Sequence, residues 1–373
     1  MFFSYKDYNY VCNLDWLQFS VLTDETNPEL NCPSGIRIEI FSGNNIFKNR
    51  AIVSDMEGRK MLTLLWTPYA PFLNKYLMTV QVSNEYIWRQ GISQAIAILH
   101  EIVACRENAL GRVDICLDFN PSPHQLSIIN ALSSDVCYIS RKKAGSIFWH
   151  RSSDAAARMA HCLSWGSQKT EIKVKLYNKS LELGVDDKGH GEKQYIIDEW
   201  KVAGLDVKKV WRLEFSMVGT SQLRYDGKGI GISDILSFDF ILGVYLSLYH
   251  KRFVVRRRAG GVQGHHNNDI RISFLELPKS TSELKWRVYD GDKPSDNALK
   301  VLRKTMAMLQ EEVFSISEEL FTLQAEVIFS LCRKKGVLTY FQNTYGDLPE
   351  VVLNDMFNES GEGCHKGIPK LER

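Results

Sequence analysis

Residues 172–179 read IKVKLYNK, and this stretch decides the fold because its apolar and polar side chains alternate. Successive side chains of a β-strand point to opposite faces of the sheet. The apolar face of this strand carries Ile172, Val174 and Leu176, and its polar face carries Lys173, Lys175, Tyr177 and Lys179. A tyrosine among lysines is therefore predicted on the polar side of a half-buried strand.

Two other segments alternate in the same way: residues 112–119, RVDICLDF, and residues 211–216, WRLEFS. Their polar faces carry Arg112, Asp114, Cys116 and Asp118 in the first segment, and Arg212, Glu214 and Ser216 in the second. If the three strands share one sheet and bury their apolar sides together, a single face holds the acids, the lysines and Tyr177.

Such a face contains the residue types that phosphoryl transfer needs. Carboxylates are hard oxygen ligands for Mg²⁺ or Mn²⁺, and either ion would neutralise charge on a phosphate in the transition state. A tyrosine hydroxyl, with an ordinary pKa of about 10, needs nearby cations or a metal ion to become a nucleophile. The alternative is an ordinary half-exposed sheet on which Asp, Glu and Lys pair across strands.

Strands and helices alternate irregularly along the chain, which predicts an α+β fold with a mainly antiparallel central sheet flanked by helices. We predict strands within residues 14–22, 35–83 and 270–277, and helices over 92–107, 124–134, 233–253 and 296–335, with a further helix starting within 152–160. A first domain that would carry the polar face is expected over residues 1–275, with an N-terminal lobe over about 1–110. A helical region over residues 276–373 follows and ends in a flexible tail.

The composition is that of a globular protein, with 44% hydrophobic and 24% charged residues among 373. The net charge is only +2, so any contact with DNA must come from locally clustered cations. The 8 cysteines form no CxxC pair and are expected to be reduced thiols of a cytoplasmic protein. Because no basic start with an apolar run and no long apolar window occurs, neither export nor a membrane span is expected.

A basic run at residues 251–258, KRFVVRRR, lies beside a glycine-containing stretch and is a candidate for phosphate contacts. Its cations are Lys251, Arg252, Arg256, Arg257 and Arg258. The alternative is a solvated helix end, where cations are also favoured. Two adjacent histidines, His265 and His266, are expected in a polar loop, and residues 227–231, GKGIG, lack the spacing of a phosphate-binding loop.

Three segments together resemble, in order and rough spacing, the motifs of the Rep_trans replication initiation factors: RVDICLDF, CLSWGSQKTEIKVKLYNKSLE at residues 162–182, and WRLEFS. The early LDWLQFSV resembles the first strand of that family, and the similarity covers roughly residues 12–260. The family comprises initiators of rolling-circle plasmids, related proteins of filamentous phages and relaxases of conjugative elements. Most rolling-circle nickases hold their metal with a His-x-His pair, which this chain lacks, but the Rep_trans branch relies on carboxylates.

The resemblance implies a site-specific single-strand DNA endonuclease and strand transferase. Tyr177 would attack the scissile phosphate and stay joined to the 5′ end as a phosphotyrosine. The other implied roles are metal ligation of Mg²⁺ or Mn²⁺ by Asp114, Asp118 and Glu214, support of the phosphate by Lys179 and Arg212, and DNA contact by Lys173 and Lys175. The implied partners are single-stranded or supercoiled origin DNA, a second copy of the chain, and a helicase or coupling protein of the mobile element.

Two other functions fit the same residues. One is a DNA-binding regulator that keeps the fold without the chemistry, and the intact Tyr177, Lys179 and acidic positions argue against it. The other is a hydrolytic nuclease that uses a metal ion and water and leaves no protein–DNA adduct.

Overall fold

The computed structural model describes residues 2–70, 73–140, 144–149, 160–166, 172–218, 223–226, 228–258, 269–280 and 284–286. Several predictions concern other parts of the chain: the helix start within 152–160, the loop with His265 and His266, the helix over 296–335 and the flexible tail.

The chain forms short and long strands separated by few helices. The strands are β1 (Phe2–Tyr5), β2 (Tyr8–Thr23), β3 (Ile36–Ser42), β4 (Phe47–Asp55), β5 (Lys60–Pro68), β6 (Leu77–Val82), β7 (Cys105–Phe119), β8 (Cys137–Ile139), β9 (Ala144–Trp149), β10 (Ala160–Trp165), β11 (Ile172–Asn178), β12 (Trp211–Val218), β13 (Leu223–Tyr225), β14 (Lys228–Gly229), β15 (Val255–Arg257), β16 (Ile270–Ile272) and β17 (Leu284–Trp286). The helices are α1 (Asn84–Gln90), α2 (Ile92–Ile102), α3 (Pro123–Ser133), α4 (Lys179–Glu182), α5 (Gln194–Val202) and α6 (Phe238–Arg252).

One large antiparallel sheet organises the fold, which is α+β as predicted. Its strand order is β3-β4-β5-β6-β2-β7-β12-β11-β10-β9, with β1 paired to β2. Two three-stranded sheets accompany it, in the orders β14-β13-β17 and β16-β15-β8. The sheet is continuous through residue 110, because β7 crosses that position and pairs with both β2 and β12.

The three alternating segments are neighbours in this sheet, so the shared polar face predicted from the sequence exists. Strand β12 lies between β7 and β11 and pairs with both. Helix α6 packs on the apolar side, where the Tyr245 ring meets Phe215 edge-on at 5.2 Å between ring centroids. On the polar side, Trp88 of α1 and Trp200 of α5 contact Arg212 and Asp118. The central strands are therefore buried on both faces.

Three predicted boundaries were wrong. Helix α2 ends at Ile102 and not at 107, because residues from Cys105 onward pair with the end of β2. The helix predicted from Ser233 begins at Phe238, and its N-cap is Ser237, whose hydroxyl accepts a hydrogen bond from the Phe240 amide at 3.3 Å. The strand predicted over 270–277 stops at Ile272, beyond which apolar side chains fill the core without strand pairing.

Among the described strands, β3 lies at one edge of the large sheet, next to β4. Its residues Ile40 and Phe41 are 65% and 45% exposed. None of the helices in the described part of the chain is long and apolar enough to span a membrane.

Candidate active site

A cavity of about 520 Å³ lies on the polar side of the central strands. Its lining comes from β2, β7, β10, β11 and β12 and from the turn of α4 after β11. The lining residues are Asp15, Trp16, Arg112, Asp114, His161, Cys162, Lys175, Tyr177, Asn178, Leu181, Glu182 and Glu214. The tyrosine, two of the three acids and one of the lysines singled out by the sequence therefore share one cavity.

A hydrogen bond joins Tyr177 and Glu214 within the cavity. The tyrosine Oη donates a hydrogen bond to Glu214 Oε2 at 3.0 Å, and the two side chains are only 9% and 3% exposed. Register explains the contact, because Glu214 lies opposite Lys175, two residues before Tyr177 on the same face of β11. A carboxylate is thus held at the one atom of the tyrosine that can act as a nucleophile.

Burial shapes the proton affinity of both partners. It raises the pKa of Tyr177 well above its usual value; nearby Arg212 opposes this effect and Glu214 adds to it. Burial also raises the pKa of Glu214, and the negative charge of Asp15 acts in the same direction. The tyrosine therefore keeps its proton at neutral pH, and Glu214 is a stronger proton acceptor than an ordinary glutamate.

Two cations also line the cavity. Lys175 Nζ lies 3.4 Å from Glu214 Oε1, and the charge of Glu214 raises the pKa of this lysine. Arg112 forms a two-pronged pair with Asp114, with Nε–Oδ1 at 3.0 Å and Nη2–Oδ2 at 2.5 Å, and its guanidinium lies 4.8 Å from the Trp16 ring centroid. A phosphate in the cavity would meet positive charge on both sides of Glu214.

Sequence reasoning missed Asp15, which lies beside Glu214 in the cavity. In β2, Leu14 pairs with Ile115 and Trp16 pairs with Asp114, so Asp15 is the extra residue of a β-bulge. Alternation counted back from Leu17 would place Asp15 on the apolar side, but the bulge changes the phase of the strand, so Asp15 shares the polar side with Asn13. The side chain accepts hydrogen bonds from Asn84 and Arg212. An acidic residue within an apolar strand was the only available signal.

Arg212 and Asp118 form a buried ion pair away from the cavity lining. Arg212 Nε and Nη2 donate to Asp118 Oδ1 and Oδ2 at 2.6 and 2.7 Å, and Trp200 Nε1 adds a bond to Oδ2 at 2.7 Å. Neither charged side chain is exposed to solvent. The pair therefore supports the cavity wall through Asp15, and does not place Arg212 where it could touch a phosphate in the cavity.

Lys179 also lies outside the lining, contrary to its predicted position on the face of β11. The strand ends at Asn178, whose side chain caps α4, so Lys179 is the first helical residue. Its Nζ is 2.5 Å from Glu182 Oε2 and 5.4 Å from the Tyr177 ring centroid, and burial lowers the pKa of this lysine. Lys179 thus lies against the tyrosine ring and pairs with Glu182, which itself lines the cavity.

The remaining predicted DNA contacts do not line the cavity either. Lys173 is half-buried opposite Ser216. Lys251 and Arg252 close the last turn of α6, and Arg256, Arg257 and Arg258 belong to β15 and the residue after it.

Two of the predicted metal ligands, Asp114 and Glu214, line the cavity. Within the ranges that the structure describes, no group of three or more His, Cys, Asp or Glu side chains is placed to hold a metal ion. The oxygens of Asp114 accept from Arg112 and Ser216, and those of Glu214 from Tyr177 and Lys175. A metal ion bound by Asp114 and Glu214 would therefore have to share or displace these donors, and water or phosphate oxygens would have to complete its coordination.

The burial of this face also decides against an ordinary solvated sheet. Asp114, Asp118, Arg212 and Glu214 are all buried. Burying charges costs free energy even when they are paired, and such clusters in cavities are enriched at functional sites.

Comparison with known proteins adds little to this description. No protein-family model matches the chain, and no curated protein is significantly similar to it. A solved structure of the rolling-circle replication initiator protein from Geobacillus stearothermophilus is similar, with a TM-score of 0.40 and 12% sequence identity, over 71% of this chain and 93% of that one. The residues of the cavity are therefore the main indication of function.

Proposed function

We propose that this protein cleaves and rejoins single strands of DNA through a covalent bond to Tyr177. The observation that carries the proposal is the 3.0 Å hydrogen bond from the Tyr177 hydroxyl to Glu214, inside a cavity that also holds Arg112 and Lys175. Nucleophile, proton acceptor and phosphate-binding cations are the parts that transfer of a phosphodiester to tyrosine requires.

The proposed step is an in-line displacement at phosphorus. Tyr177 Oη attacks, Glu214 Oε2 takes the phenolic proton, and a bond forms between the tyrosine oxygen and phosphorus. The bond from phosphorus to the 3′ oxygen breaks, and that oxygen leaves with the electron pair and takes a proton from water. The 5′ end stays joined to the protein, and attack by a 3′ hydroxyl reverses the reaction.

Arg112 and Lys175 would stabilise the negative charge that develops during this reaction. A pentavalent phosphorane-like transition state carries more negative charge on its oxygens than the substrate, and fixed cations stabilise that charge. Lys175 is 44% exposed at its side chain and Arg112 is 36% exposed, so both can reach a ligand while remaining beside Glu214 and Asp114.

The family resemblance extends the proposal to the initiation of rolling-circle replication or to mobilisation of a mobile element. It also implies a need for Mg²⁺ or Mn²⁺. A metal ion at Asp114 and Glu214 would have to displace Arg112 and Lys175 from their carboxylates. Cleavage that persists in the presence of a chelator would remove the metal ion from the proposal.

The decisive experiment compares the wild-type protein with Tyr177→Phe on labelled single-stranded DNA and on supercoiled plasmid. We expect the wild type to nick and to give a protein–DNA adduct on a denaturing gel, and the variant to give neither. Tyr195→Phe is the matched control, because the Tyr195 hydroxyl bonds Asn84 and is not part of the cavity lining. Cleaved DNA without an adduct would indicate a hydrolytic nuclease, and binding without cleavage would indicate a regulator.

A further inference from the structure

The small sheet formed by β8, β15 and β16 presents one row of side chains to its outer side. In this row Tyr138, Arg256 and Arg271 lie directly opposite one another on adjacent strands. The neighbouring row, Ile139, Val255 and Ile272, packs against the core. Because successive residues alternate between faces, the arginine row points away from the core.

This outer face concentrates positive charge. Arg271 and Arg258 are exposed, and Arg256 is half-buried between Tyr138 and Arg271. Arg256 and Arg271 lie directly opposite each other on paired strands, where like charges repel, and the Asp269 carboxylate lies at the Tyr138 end of the same row. A bound anion would relieve that repulsion.

Local contacts hold the row in a fixed geometry. The Tyr138 hydroxyl donates to Asp269 Oδ2 at 2.5 Å, and Arg256 Nη1 donates to the Asp269 carbonyl at 3.2 Å. The Arg258 guanidinium lies 5.0 Å from the Tyr138 ring centroid and bonds both carboxylate oxygens of Asp135 at 3.0 Å. Asp135 thus offsets Arg258, whereas Arg271 is exposed to solvent.

We infer that this outer face, formed by Tyr138, Arg256 and Arg271, is a second DNA-binding surface that holds the sugar–phosphate backbone apart from the cleavage cavity. Its residues are not among those that line the cavity. Planar guanidinium groups on a rigid strand pair well with phosphate oxygens, and such contacts position DNA without reading its sequence. The inference rests on the proposed function, because it takes DNA as the ligand. It adds Tyr138 and Arg271, which the linear basic run does not contain.

The test measures binding in the Tyr177→Phe background, so that no covalent product forms. The full-length protein is titrated against a fluorescent oligothymidylate and against a mixed-sequence duplex of equal length, at several salt concentrations. The test variant is Arg256→Gln with Arg271→Gln. The control is Arg37→Gln with Lys48→Gln, which removes two charges from the exposed surface of β3 and β4 at the far edge of the large sheet.

Loss of two phosphate contacts decreases the magnitude of the negative slope of log binding constant against log salt by roughly 1.4 on single strands and 1.8 on duplex. We expect that decrease in the test variant, independent of sequence, and an unchanged slope in the control. Equal slopes in the test variant and its parent, with unchanged thermal midpoints, would overturn the inference. Formation of a protein–DNA adduct by the wild-type protein tests the proposed function in a separate experiment. The second DNA-binding surface and the cleavage activity can therefore fail independently.

Discussion

At the scale of single residues, the proton acceptor at the tyrosine hydroxyl is Glu214. Burial and the nearby Asp15 favour its protonated form, whereas Lys175 favours its ionised form. The proposed reaction requires the ionised form, because only a carboxylate can accept the phenolic proton. A raised pKa therefore makes the active fraction sensitive to pH above the range in which an ordinary glutamate titrates.

The first prediction concerns Glu214→Gln. We expect cleavage to slow by about 10²–10⁴-fold, the usual contribution of a general base. In the wild type the single-turnover rate should rise with pH through the raised pKa of Glu214 and then level off, and the variant should lack this rise. Glu182→Gln, which changes another acid of the lining, should keep the wild-type profile. An identical pH profile in Glu214→Gln would exclude its role as the base.

The second prediction, also at the scale of single residues, distinguishes a structural role of Asp118 from a role in cleavage. In Asp118→Asn, the buried Arg212 loses the charge of the carboxylate that it bonds through two nitrogens, and breaking such a pair costs about 3–5 kcal/mol. We expect the free energy of unfolding in urea to fall by that amount. Asp187→Asn, at an exposed pair with Lys208, should change it by less than about 1 kcal/mol. Full stability together with lost cleavage would instead support Asp118 as a ligand.

At the scale of elements, the sequence predicted the central strands well and their surroundings poorly. Alternation in β7, β11 and β12 reports directly which side chains share a face, and these strands are neighbours as expected. Alternation does not report what covers a face, so the burial of Arg212 beneath Trp88 was not foreseeable. Nor does it reveal a bulge, which is why Asp15 was missed, or the end of a strand, which is why Lys179 was misplaced.

The layer on the polar side gives a third prediction. Helix α5 contributes Trp200, whose indole bonds Asp118, whereas the Trp88 indole nitrogen on α1 is buried without a hydrogen-bond partner. Trp200→Phe should therefore lower the free energy of unfolding by about 1.5–3 kcal/mol more than lost packing alone, as expected for a hydrogen bond to a charged group. Trp88→Phe serves as the control for packing. Equal losses in the two variants would contradict the structural role of the indole bond.

At the scale of the whole molecule, acid should unfold the protein partly through Asp15. Burial raises the pKa of Asp15, but Arg212 and other neighbours outweigh burial and lower it from 3.8 to about 2. A carboxyl with a lowered folded pKa stabilises the native state above its unfolded pKa, and this stabilisation disappears as pH falls through the folded value.

The fourth prediction concerns this loss of stability in acid. The free energy of unfolding should decrease between about pH 4 and pH 2, and the decrease should be smaller in Asp15→Asn than in the wild type. Urea titrations at a series of pH values measure both slopes. If the two slopes agree over this window, Asp15 does not contribute to acid unfolding.

The outermost strand β3 has a consequence for handling the protein in solution. Among the described strands, none pairs with the outer edge of β3, and this edge with the exposed Ile40 and Phe41 offers a template on which a strand from another molecule can add. Concentrated samples should consequently tend toward slow, edge-to-edge aggregation that increases with time and salt. A charge at this rim, as in Ile40→Lys, should suppress the increase in light scattering while leaving the distant cavity intact.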